Sequence, residues 1–145
     1  MKSIQTDWLF WACLSALFAA ATAILAKIGV SDVNSDLATF IRTLVILVVS
    51  LIIVSLFKQW QPLNSIPPRT WLFLGLSGLA TGASWLCYFR ALKLGEAAKV
   101  APIDKLSVVF VALLSALFLG ERLSAQNWLG VSLIAAGAIL IAVRI

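Results

Sequence analysis

The sequence predicts an all-α integral membrane protein with five transmembrane helices. Three observations carry that expectation. First, 62% of the 145 residues are hydrophobic and 12% are charged, with a mean hydropathy of +1.05. A soluble domain is about a quarter charged, so the charges here are too few to cover a water-facing surface. Second, five apolar runs approach the ~17–25 residues that a helix needs to cross a bilayer's hydrocarbon core. Third, basic residues and tryptophans gather at the ends of those runs. This is interfacial anchoring, not the basic stripe of a nucleic-acid binder, so the net charge of +5 implies no nucleic-acid partner.

The first span covers 8–26; Trp8 opens it and Lys27 follows it. The segment after it offers Asp32, Asn34, Ser35 and Asp36 as caps for the second span, 37–57, which ends at Lys58. The longest connection, 59–70, holds Trp60 and prolines 62, 67 and 68, which suit a loop or a helix's first turn. Trp71 opens the third span, 71–89, and Arg90 follows it. The fourth span, 100–119, closes at Gly120, and Ser124 is placed to cap the fifth, 128–143, which precedes Arg144. No cleavable leader and no extramembrane lobe for enzyme chemistry are expected, and residues 1–145 read as one transmembrane domain. Cys13 and Cys87 lie inside apolar runs and read as packed thiols. Histidine is absent. No metal and no cofactor are expected.

Small and polar residues form stripes. Gly75, Gly78 and Gly82 share one face of the third span, and Gly130 and Gly137 mark the fifth; small residues at such spacing allow close helix packing. Another face of the third span carries Thr81, Ser84, Trp85 and Tyr88, a helical periodicity that fits either a packed seam or a cavity wall. Asp104 and Ser107 lead a stripe on the fourth span, Thr39, Thr43 and Ser50 one on the second, and Ser15 and Thr22 one on the first. Four mildly polar stripes suggest a shared, partly wet interior. A weak repeat relates Trp8-Leu9-Phe10 to Trp71-Leu72-Phe73, and at the same offset Lys27 falls on Arg90 and Arg42 on Lys105.

Arg42, Asp104 and Lys105 each lie roughly 8 Å inside a helix start, and alternating helix direction brings all three toward one face. Charges at membrane depth cost of order 2.5–3.5 kcal/mol on insertion scales and mark functional pathways by default. Neighbours on a helix point about 100° apart, so Asp104 and Lys105 are expected to seek other partners, Arg42 being the candidate for Asp104. Two arrangements meet that need: a buried Arg–Asp clamp with Lys105 snorkelling, or a polar site at the mouth or floor of a cavity.

These motifs resemble a known family. The runs ALKLGEAA at 91–98, VAPIDKLS at 100–107 and FLGERLS at 118–124, then Trp128-Leu129-Gly130, Gly137 and the early Arg42, are similar to the EamA-like domain of the drug/metabolite transporter superfamily. The five-helix length resembles its single-domain bacterial and archaeal branch. The resemblance implies one half of an inverted-repeat transporter in the prokaryotic inner membrane, efflux being among the implied activities. Most such relatives carry two domains of opposite orientation around a shared cavity. Unlike the small multidrug-resistance relatives, this chain has no acid in its first span.

The implied function is a subunit that moves a small amphipathic metabolite or drug by alternating access, as a homodimer in the lipid bilayer. Arg42, Thr81, Ser84, Trp85, Tyr88, Asp104, Lys105 and Ser107 are its expected cavity contacts, without a catalytic role. The alternative is a non-transporting scaffold, or a partner subunit of a heteromeric half-transporter or lipid-carrier flippase. Orientation follows Lys and Arg near helix ends. Lys2, Lys58, Arg69 and Arg122 fall on one face; Lys27, Arg90, Lys93, Lys99 and Arg144 fall on the other. Four against five is little bias, which permits an antiparallel pair.

Overall fold

The computed structural model describes residues 8–143; Lys2 and Arg144 lie outside them. All elements among the described residues are helical. In order they are α1 (Trp8–Gly29), α2 (Ser35–Leu56), a short 3-10 turn (Leu63–Ser65), α3 (Pro68–Leu94), α4 (Ala97–Asp104), α5 (Ser107–Leu114), a π turn (Ser115–Leu119) and α6 (Ala125–Ala142). Five spans result, the fourth being Ala97–Leu119. The protein is a multi-pass integral membrane protein.

Local chemistry sets the boundaries. The Asn34 side chain accepts from the Asp36 amide at 2.8 Å, capping α2, and the Ser124 hydroxyl accepts from the Asn127 amide at 3.2 Å, capping α6. Pro68 begins α3, where its missing N–H costs nothing. After α2 the Lys58 amide donates to the Ser55 carbonyl and the Gln59 amide to the Val54 carbonyl. That pair of bonds is a Schellman closure, and it holds Lys58 left-handed at φ 52. Gly120, at φ 68, closes the π turn by donating to the Ser115 carbonyl.

The fourth span is not the single helix its hydropathy predicts. Pro102 has no amide to give the Ala98 carbonyl, and the chain tightens just beyond it. The Lys105 amide donates to Pro102, Leu106 to Ile103 and Val108 to Lys105, all at 3.0–3.1 Å. These three-residue steps separate α4 from α5 at the two charged residues.

The described chain groups into two compact units. One joins the start of α1, as far as Ile24, to everything described from Leu94 onward; the other runs Leu25–Lys93. In the first, α6 packs against α4 and α5, and the buried positions are Ala23, Ala112, Ser115 and Ala138. In the second they are Ala26, Val30, Ser35, Thr39, Phe89 and Leu92. Four of these ten positions are alanine and none is glycine. A Cβ built at Gly75, Gly78, Gly82, Gly130 or Gly137 meets nothing within 4 Å. Gly75 and Gly78 are exposed, and Gly82, Gly130 and Gly137 are half-buried with open space where a side chain would begin. Cys13 and Cys87 are likewise exposed rather than packed.

Only 6–11% of each span's most apolar window is buried inside the chain. A surface so apolar is stable against lipid tails or another apolar chain and not against water.

Candidate functional site

The second unit builds the most developed polar arrangement. At the level where α1 ends, α2 begins and α3 ends, three cations find partners. Arg90 Nη2 lies 3.3 Å from both carboxylate oxygens of Asp36. Lys27 Nζ donates to the Leu92 carbonyl at 2.6 Å, and Lys93 Nζ donates to the Val33 carbonyl. The helix ends are tied by charge-assisted bonds, and the last carbonyls of α3 gain a cation that complements the helix dipole.

Arg42 sits deeper, roughly 10 Å along α2 from Ser35. Its guanidinium carbon lies 4.3 Å from the centroid of the Trp85 ring and 5.4 Å from that of Phe89. Trp85 and Phe89 are four apart on α3, so both rings face the same neighbour. Asp36 meets Arg90 and, deeper on α2, Arg42 meets Trp85, which lies earlier on α3; the two helices therefore run antiparallel. Cation–π contacts of this kind contribute about 0.5–2 kcal/mol and compensate part of the cost of placing a guanidinium in a span.

Of the remaining cavity candidates, Tyr88 is half-buried on α3, and Thr81 and Ser84 are exposed. The Thr81 hydroxyl donates to the Ser77 carbonyl of its own helix at 2.9 Å. Thr39, Thr43 and Ser50 do the same toward Ser35, Thr39 and Ile46. Much of the stripe polarity is thus satisfied locally and requires no wet interior.

In the first unit, Asp104, Lys105 and Ser107 lie at the break between α4 and α5. Lys105 Nζ is 3.4 Å from Asp104 Oδ2. Sequence neighbours on a regular helix would not meet this way; the tightened turn and the long lysine stem let them. Arg42 and Asp104 each find a partner within their own unit. The structure brings together Arg42 and Trp85, both expected cavity contacts, and adds Phe89, which the sequence expectations do not include. The signal was available, since Phe89 follows Trp85 at the four-residue spacing. The Arg90–Asp36 pair is a further contact that the span boundaries alone do not announce.

Two comparisons bear on what such a chain is. Residues 6–143 match the EamA-like transporter family, and 67% identity over 140 residues relates the chain to an uncharacterized transporter encoded in a cobO 3' region of a Sinorhizobium species, covering 97% of this chain and 99% of that one. The chain belongs to the EamA-like transporter family. Another relative, the uncharacterized transporter YxxF of Bacillus subtilis, is 28% identical over 99% of this chain but only 45% of its own length. The probable 4-amino-4-deoxy-L-arabinose-phosphoundecaprenol flippase subunit ArnE of Aeromonas hydrophila is 35% identical over 85 residues, which is 58% of this chain and 68% of that one. No solved structure matches. This EamA-like chain thus corresponds to about half of one transporter relative and to nearly the whole of another.

Proposed function

We propose that the protein is a half-transporter: a five-helix subunit that moves a small amphipathic metabolite or drug across the inner membrane by alternating access, with a second copy of itself completing the cavity. The observation that carries this reading is Arg42, a charge held within a span on the faces of Trp85 and Phe89. A guanidinium is costly at that depth, and intramembrane charges mark pathways. The match to about half of YxxF supports a unit that functions by pairing. Trp85 and Tyr88 serve as the aromatic wall and Arg42 as the polar contact, with Thr81 and Ser84 on the same helix. Asp104, Lys105 and Ser107 belong to a discontinuous span, the kind of element that carries substrate and ion sites in secondary transporters. The open space beside Gly75, Gly78, Gly82, Gly130 and Gly137 leaves room for the second copy.

The test is flux. Purified chain in liposomes, loaded with a panel of amphipathic compounds and assayed with and without a pH gradient, is expected to give saturable, compound-dependent uptake or release. Uniform leak identical to empty liposomes would contradict it.

A second reading has one specific support. The similarity to a protein named as a flippase subunit fits a chain that works beside a different partner. Tagged protein from its native host distinguishes the two: a differently tagged copy of itself co-purifies under the first reading, a second, different five-helix protein under the other.

A further inference from the structure

The arrangement around Arg42 bears on the charge of what the site takes, and the inference rests on reading Arg42 as a substrate contact. A guanidinium has two kinds of surface. Its flat face stacks on aromatic rings, and its edge presents N–H donors in a fork that matches the paired oxygens of a carboxylate or phosphate. In this protein Trp85 and Phe89 lie within cation–π reach of the guanidinium. Within 25–93 no carboxylate pairs with its edge, and the Tyr88 phenol is its polar neighbour, interacting with it electrostatically. The unit formed by 25–93 offers no acid to fill that role. Its two carboxylates are Asp32, which accepts from the Ser31 hydroxyl at 3.0 Å in the turn before α2, and Asp36, held by Arg90.

The opposite ligand charge is poorly served. Recognition of an ammonium needs an aromatic face or a free carboxylate. Beside Arg42 an ammonium meets like charge, and the guanidinium already lies over the Trp85 ring at 4.3 Å. The two carboxylates within the described helices are Asp36, paired with Arg90, and Asp104, paired with Lys105 at 3.4 Å. Arg42 is therefore a cation without a carboxylate partner in its own unit, its donors oriented by the rings before any ligand arrives, and pre-orientation lowers the cost of binding.

We propose that Arg42 is an anion subsite: its edge binds the carboxylate, phosphate or sulfonate of a small organic anion carried on an apolar body, while Trp85 and Phe89 hold the guanidinium in place. The anionic group belongs either to a soluble metabolite or to a lipid headgroup.

Phenylphosphate, benzyltrimethylammonium and benzyl alcohol share a benzyl-sized body and differ in charge. Their binding to the detergent-purified chain is measured by calorimetry and by ligand-dependent thermal stabilisation. Phenylphosphate is expected to bind at least tenfold tighter than the other two. Arg42→Gln is expected to abolish that margin, and Arg42→Lys, which keeps the charge but not the fork, to keep part of it. If Arg42→Gln does not fold, the wild-type comparison decides alone. Equal binding of the three probes, including no binding by any, overturns the proposal, as does a phenylphosphate affinity unchanged in either variant. Repeating the measurement in phosphatidylcholine nanodiscs with and without phosphatidylglycerol separates the sources. Arg42-dependent competition by phosphatidylglycerol supports a headgroup; unchanged affinity supports a soluble anion. The liposome assay separates this proposal from the transport reading. Flux of benzyltrimethylammonium without flux of phenylphosphate overturns the anion subsite and leaves transport standing. Selective phenylphosphate binding with no flux of any compound supports the subsite and counts against transport.

Discussion

Arg42 and the rings beneath it form the part of this protein where individual side chains say most. The contact was half legible in the sequence. An arginine within an apolar run and a Trp85–Tyr88 stripe on another run point to a site, but which partner the guanidinium takes depends on how α2 and α3 register, and hydropathy does not encode register. The contact makes the two residues a unit. Trp85→Leu should lower the melting temperature in detergent, Arg42→Leu should change it less, and the double variant should be more stable than the sum of the two effects implies, by about 1 kcal/mol of coupling. Additive effects in that cycle would mean the ring does not hold the guanidinium. Lys58 offers a simpler test. It holds a left-handed conformation at φ 52 in the turn that closes α2, and a side chain pays for that geometry where glycine does not. Lys58→Gly should therefore stabilise the protein by about 0.5–1 kcal/mol, read as a raised melting temperature; a lowered one would show that the lysine side chain contributes more than its strain.

At the scale of elements, the spans were legible and their irregularities were not. Asn34, Pro68, Gly120 and Ser124 stand at helix ends, whereas α3 begins before Trp71 and runs on past Arg90 to Leu94. The break between α4 and α5 escaped, because a run of apolar residues gives the same hydropathy whether its helix is continuous or not; only Pro102 signalled it. If the break serves transport, Pro102→Ala should restore a regular ladder, raise thermal stability and reduce flux. Stability and flux rising together would argue that the break is only tolerated. Asp104→Asn at the same place should reduce flux more than membrane insertion, which parallel assays of uptake and of membrane-fraction yield would reveal. The glycine stripes pose a different problem. Small side chains announce room, and not which neighbour fills it. With nothing within 4 Å of an added Cβ, Gly78→Leu and Gly82→Leu should leave the melting of the monomer within about 1 kcal/mol of wild type. A large loss in the monomer would place a contact there inside the chain.

For the whole molecule, composition and anchoring residues were enough to establish a multi-pass membrane protein, and sequence motifs were enough for its family. What lies beyond one chain is encoded only weakly. Spans of alternating direction would set Lys58, Arg69 and Arg122 on one face and Lys27, Arg90, Lys93 and Lys99 on the other, with Lys2 and Arg144 beyond the described residues. In the structure Lys27 and Lys93 bind backbone carbonyls and Arg90 binds Asp36, so part of the cationic face is spent on tying helix ends together. A small excess of basic residues leaves both orientations open. Two copies inserted in opposite senses would reproduce the inverted-repeat arrangement from a single chain of half length. The measurement that tests this most directly is a pair of C-terminal fusions, one to a reporter active only in the cytoplasm and one to a reporter active only outside it. Comparable signal from both is expected, converted to a single orientation by adding three lysines to one face. Strong signal from one reporter and none from the other would contradict it.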